Sequence, residues 1–157
     1  MQIEQGAQSR PRCFYNDLNH DINKDMENTI TILYVFGLIG VADTLYLIYH
    51  KVRGTDVACL FFPKEWCYKV QHSPQSSTFG IPNSVSGFII YSLILIFTWL
   101  FSAGLFAFWP VQVLVGIGFL FSFYFLYVQA FVLRAFCTWC VISFINFSVM
   151  AFAVFLT

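Results

Sequence analysis

Four apolar runs, at 29–49, 83–106, 111–133 and 136–156, set the terms for any fold of this chain. Each is close to the roughly 20 residues that a helix needs to cross a bilayer. Only 10% of the 157 residues are charged and 59% are hydrophobic, against about 25% charged in a soluble domain. The expectation is an all-α membrane protein, a four-transmembrane-helix bundle over 29–157, with lipid covering most of its surface. The formal net charge is zero and there is no basic run, which argues against nucleic acid as a partner.

Residues 1–28 read as a polar tail, lying on the membrane surface or disordered. The tail lacks the apolar core of a signal peptide. It holds Cys13, a thiol with no neighbour in sequence and hence an expected spectator. The first span carries Asp43 about two turns before its end. An acid at that depth is costly, so it should face the bundle interior or a wet cavity. Two readings stand: a structural acid bonded to a neighbouring helix, or a proton relay beside a cofactor.

The stretch 50–81 reads as an irregular loop carrying Cys59 and Cys67. Leu60, Phe61, Phe62 and Trp66 suggest that it dips into the membrane interface. Pro82-Asn83-Ser84 then opens the second span with a tolerated proline and two capping residue types. Gly116 and Gly118 in the third span allow close helix approach.

The fourth run opens on Cys137-Thr138-Trp139-Cys140. Cysteines at i and i+3 share one helix face, and a helix N-terminus favours thiolate. With four spans, the loop after the first and the start of the last lie on the same side. Cys59, Cys67, Cys137 and Cys140 therefore share one membrane face by counting alone, and Cys13 lies on the other. Thiol–disulfide exchange between the pairs is geometrically open to them. Counting Lys51, Arg53, Lys64, Lys69 and Arg134 on that face against Arg10, Arg12 and Lys24 puts the cysteines in the cytosol. Disulfide traffic belongs in an oxidising compartment. The expectation is cysteines facing outward, with Lys64 and Lys69 beside Cys67 stabilising its thiolate.

Cys59, Cys67, Ser73 six residues on, Gly80-Ile81-Pro82-Asn83-Ser84, Gly87 and Cys137-Thr138-Trp139-Cys140 together resemble the vitamin K epoxide reductase family in its bacterial form. The resemblance covers about 33–147. It implies a bundle around a quinone pocket, with ubiquinone or menaquinone as cofactor, and a soluble thioredoxin-like partner. Carried over by position, Cys59 takes up the partner and Cys67 exchanges with Cys137. Cys140 contacts the quinone, Asn83 hydrogen-bonds a quinone carbonyl, and Ser73 assists near Cys67. The implied place is a bacterial inner membrane with the cysteines on the periplasmic side. Vertebrate members have tyrosine where this chain has Phe144, which donates no hydrogen bond. Vitamin K epoxide chemistry is thereby less expected than quinone reduction, and Phe144 is expected to pack on the quinone ring. Many bacterial members carry a fused thioredoxin-like domain, so here the expected partner is a separate protein.

A helix terminus supplies roughly 0.3–1 kcal/mol, at most about 20 mV for a two-electron couple. That is far below the roughly 150 mV between a reducing thioredoxin and a strongly oxidising partner. An external electron sink is required, and a membrane quinone is the obvious one. Three alternatives stand beside this reading. One is vitamin K quinone or epoxide reduction by the same cysteines. Another is a zinc site from Cys59, Cys67, His72, Cys137 and Cys140, against which the spacing argues; the expected metal is none. The last is a non-enzymatic bundle in which the cysteines pack as small apolar residues.

Overall fold

The computed structural model describes residues 11–78 and 80–156, with side chains from Lys24 onward except that of Thr78. Cys13, the expected spectator, falls outside the described side chains. Helix α1 is Pro11–Arg53, α2 is Lys64–Gln71, α3 is Asn83–Ser102, α4 is Trp109–Tyr127 and α5 is Thr138–Phe155. Four stretches are long and apolar enough to cross a membrane: Lys24–Arg53, Asn83–Ser102, Trp109–Leu133 and Thr138–Phe155. Hydrocarbon offers no partner for a peptide group, so each of these runs makes its backbone bonds internally, as a helix. The protein is an all-α integral membrane bundle.

Several boundaries differ from the sequence expectation. Helix α1 begins at Pro11 rather than near residue 29. Its 43 residues span about 65 Å, roughly twice the hydrocarbon thickness. Hydropathy locates the part of a helix that suits lipid, not where the helix starts. Helix α3 stops at Ser102 instead of 106, because Gly104 turns the chain at φ 71°. The stretch 50–81 contains α2, a short 3₁₀ turn at Pro74–Ser76 and a two-residue hairpin of β1 (Ser77–Thr78) and β2 (Ile81–Pro82). Eight residues are too few to display a helical period, so α2 has no clear sequence signal. It is fixed instead by burying Cys67 and Val70, three apart on one face. The N-cap position of α3 is taken by Pro82, which makes no side-chain cap hydrogen bond. Asn83 Nδ2 reaches back to the Gln75 carbonyl at 2.9 Å, tying the hairpin region to the helix start.

Helix α1 packs on α3 and α5, and α4 packs on the same two, so the spans form a four-sided bundle. Leu33, Tyr91, Ile94, Val111, Val115, Phe147, Met150 and Val154 fill its middle. Leu38, Ile96, Trp99, Leu120 and Phe152 project outward, the expected lipid-facing side of each helix. One layer is unusually tight. Tyr91 of α3 and Phe147 of α5 stack at 4.4 Å between centroids. Gly40 of α1 lies behind Tyr91, and Gly118 of α4 behind Phe147. Gly118 fulfils the expected close approach; Gly116 does not, because a Cβ there would meet Phe155 at an ordinary 3.7 Å.

Candidate active site

At one end of the bundle, α2 seats on the end of α4 and the start of α5. Cys67, Val70, Phe125, Val128, Leu133, Ala135 and Cys137 form a second buried cluster, with Val57, Cys59, Trp139 and Cys140 packed against it. All four cysteines of the two pairs therefore meet on one face. Cys59 and Cys67 are joined as a disulfide with Cα atoms 6.3 Å apart. Cys137 and Cys140 are free thiols. Cys67 and Cys137 are fully buried, whereas Cys59 and Cys140 are partly open.

The residues between the inner cysteines hold the loop. Trp139 Nε1 donates to the Ala58 carbonyl at 2.8 Å. The Ala58 N–H donates to Tyr46 Oη at 3.2 Å, and the Tyr46 and Trp139 rings lie 4.4 Å apart. Thr138 Oγ1 accepts from the Phe61 N–H at 3.3 Å and approaches Cys59 Sγ at 3.9 Å. Thr138, Trp139 and Tyr46 were not legible as site residues. A threonine and a tryptophan inside a Cys-x-x-Cys carry no signal of what they touch 80 residues away.

Two glutamines set the inner pair. Helix α4 widens into a π turn over Val128–Leu133 and ends at Arg134 in the left-handed region, φ 49°. A π turn inserts a residue into a helix and so re-aims its side chains. It directs Gln129, fully buried, at the head of α5, where its Oε1 accepts the Cys137 N–H at 2.9 Å. Gln71, at the end of α2, donates its Nε2 to Cys137 Sγ at 3.6 Å. Cys137 is the N-terminal flanking residue of α5. Its thiol pKa is lowered to about 6, chiefly by a hydrogen bond from the Cys140 thiol. The Cys140 N–H, Gln71 and the Trp139 N–H add to this, and burial opposes it. The pair therefore holds one thiolate above about pH 6 and loses it as pH falls through that value. Gln71→Leu removes one donor from the thiolate. A single such bond to a charged group supports a rise of about one pH unit in the first ionisation. Ultraviolet thiolate absorbance of the Cys13→Ser background, followed against pH, measures it.

Below the pair lies a narrow cavity of about 70 Å³ lined by Thr44, Leu47, Asn83, Ser84, Gly87, Tyr91, Phe121, Ser122, Phe125, Cys140, Ser143 and Phe147. It has aromatic walls, one thiol and a few polar groups. Cys140 and Asn83 share this cavity. Phe144 is not in its lining. Its ring stacks on Phe119 and tilts against Phe123, 6.2 Å from each. On a helix a residue four beyond Cys140 stays on roughly the same face, but one seven beyond is aligned more closely, and Phe147 takes the place. Ser73 is buried and donates to the Val70 carbonyl at 2.9 Å. A larger cavity of about 360 Å³ lies between the end of α1 and α2, lined by His50, Lys51, Asp56, Lys64, Glu65 and Gln71 among others.

A model of the vitamin K epoxide reductase family matches residues 31–155, nearly all of the four-helix unit. A search of curated proteins found no match.

Proposed function

We propose that this chain, which belongs to the vitamin K epoxide reductase family, is a thiol oxidase that takes electrons from a soluble thioredoxin-like protein and drives disulfide formation. The family's members are oxidoreductases that act on disulfides with a quinone. The observation that carries the reading is the joint arrangement of an oxidised outer pair, Cys59–Cys67, and a reduced inner pair beside a cavity walled by aromatic rings.

The chemistry follows from exposure and charge. Cys59 is the more open sulfur of the outer pair, so a partner thiolate attacks there and Cys67 leaves as thiolate; the partner's second thiol then resolves the mixed disulfide, leaving the partner oxidised and Cys59 and Cys67 as thiols. The Cys67 thiolate then attacks Cys137 in an oxidised inner pair. The Cys137–Cys140 bond breaks, Cys140 leaves, and Cys59 closes back on Cys67 to release Cys137. A thiol with pKa near 6 is about nine-tenths ionised at pH 7, which makes Cys137 a good leaving group and favours the reduced inner pair. The resulting state, outer pair bonded and inner pair as thiols, is the one in this structure.

The lining of the slot suits a quinone. Phe121, Phe125 and Phe147 supply apolar faces, Asn83 supplies an amide donor, and Cys140 supplies the reacting sulfur. A free volume of 70 Å³ holds about two waters, so entry of a substituted ring requires those phenylalanines to turn. Bound there, a ubiquinone or menaquinone supplies an acceptor for two electrons and two protons. The proposed setting is a bacterial inner membrane with the cysteines on the periplasmic face.

The test uses purified, reduced protein and a short-chain ubiquinone or menaquinone analogue, followed by a reduced thioredoxin-like protein. The expected result is quinol formation with closure of Cys137–Cys140, then oxidation of the added dithiol. Asn83→Ala should weaken the quinone step by about tenfold, the value of a single well-placed hydrogen bond, and leave dithiol oxidation by pre-oxidised protein intact. Equal loss in both steps removes Asn83 from the quinone site. Turnover of an epoxide in preference to the quinone favours the reductase alternative.

A further inference from the structure

The strongest unexplained group in the bundle is Asp43. It is 3% exposed, inside the first span and on the face toward α5. Its Oδ2 accepts the Ser143 hydroxyl. Its Oδ1 has no hydrogen-bond partner among the described residues. The groups that face it are Tyr91 on α3 and Ser143, Cys137 and Cys140 at the head of α5. None of these is a cation. Purely structural acids are normally paired or fully hydrogen-bonded at such depth.

Ser143 links this acid to the cavity. It lines the slot one helical turn from Cys140, next to Tyr91. Tyr91 Oη donates to the Ser143 carbonyl at 3.3 Å. The order Asp43, Ser143, cavity runs from the interior of the bundle to the reacting sulfur.

Proton balance gives that order a use. Closing Cys137–Cys140 releases two electrons, and two protons if both sulfurs begin as thiols. Cys137 begins as thiolate, so the pair releases two electrons but only the Cys140 proton. A quinone acceptor takes two of each, which leaves one proton to be supplied inside an apolar slot. We propose that Asp43 supplies it: a protonated Asp43 passes its proton through the Ser143 hydroxyl into the Cys140 cavity during quinone reduction, and is reprotonated afterwards from the aqueous side. At rest the Ser143 hydroxyl donates to Asp43 Oδ2; for transfer it turns toward the cavity and gives its proton forward while its oxygen accepts the carboxyl proton, so it ends unchanged. This rests on the quinone-linked reading above and adds to it a residue that the relay of sulfurs does not include.

The test compares wild-type, Asp43→Asn and Ser143→Ala proteins in three measurements. The first is an infrared difference spectrum in H₂O and D₂O. A protonated-carboxyl band present at neutral pH in wild-type protein, sensitive to D₂O and missing in Asp43→Asn, is the expected signature. The second is single-turnover oxidation of the reduced inner pair by a short-chain ubiquinone analogue. Both variants should slow it by about 10²-fold, the lower range for a lost acid–base group. The third is exchange between the outer and inner pairs in the absence of quinone, which should stay within about twofold of wild type in both variants. Ser143→Ala retains the acid, so it keeps the test open should Asp43→Asn fold poorly. No protonated-carboxyl band, or an unaltered quinone step in both variants, overturns the relay. Equal slowing of both steps also overturns it, in favour of a structural role. If wild-type protein itself leaves the quinone unreduced while Asp43 shows its carboxyl band, the fault lies with the quinone-linked function.

Discussion

Cys140→Ser should stop quinone-linked turnover entirely and trap the protein as a covalent intermediate between its own two pairs. With Cys140 gone, Cys137 has no neighbour to close on. Its sulfur is left beside the outer disulfide in the same buried cluster. Attack on that disulfide then has no resolving step. Proteolysis without reduction followed by mass spectrometry should find a peptide joining Cys137 to Cys67. The free thiol should be Cys59. A bond between Cys137 and Cys59 would reverse the order of the relay and make Cys67 the sulfur that meets the partner. Burial argues against that reversal, since Cys67 has no exposed surface and Cys59 has some. Cys137→Ser should abolish turnover as well, but without a cross-link, because the nucleophile itself is missing. Cys13→Ser should be indistinguishable from wild type in every step. Loss of turnover in Cys13→Ser, with Cys140→Ser active, would end the assignment.

Much of this arrangement was legible because hydrocarbon leaves few choices. Four apolar runs with a single acid in them yield four helices, and four helices put the loop cysteines and the Cys-x-x-Cys at one end by parity. What could not be read was how that end closes. Gln71 and Gln129 are ordinary polar residues in the sequence. They become site residues through an eight-residue helix too short to announce itself and a π turn that no periodicity marks. Thr138 and Trp139 likewise act on Cys59 and Ala58 across about 80 residues of chain. Phe144 follows Cys140 by four residues, about one helical turn. That spacing narrows the candidates to one side of α5 and does not decide which member of the side meets the cavity. Asp43 was visible as costly, but Ser143, the group that joins it to the cavity, was a serine like the others.

The glycines of the third span should separate cleanly when each is given a methyl group. Gly118 lies against the face of Phe147, and a Cβ there would stand 2.1 Å from Cε1 and 2.6 Å from Cζ of that ring. Phe147 has no easy retreat, since Tyr91 stacks on it at 4.4 Å and Tyr91 is itself backed by Gly40, where a Cβ would come within 2.3 Å of the ring. The space left beside both rings is the slot they share with Cys140. Gly118→Ala must therefore shift α4 outward or turn Phe147 into the slot. Overpacking of this kind costs about 1–3 kcal/mol, and the same free energy applied to ligand binding is about 5- to 150-fold. Gly118→Ala should lower the thermal midpoint in detergent and raise the KM for a short-chain quinone. Exchange between the two cysteine pairs, governed by α2 and the head of α5, should be left nearly as it was. Gly116→Ala, two residues away on the same helix, should do neither, because its Cβ would meet only Phe155 at an ordinary contact distance. Identical behaviour of the two variants would mean that the layer of rings is not rigid, and that access to Cys140 is set by something other than the Tyr91–Phe147 stack.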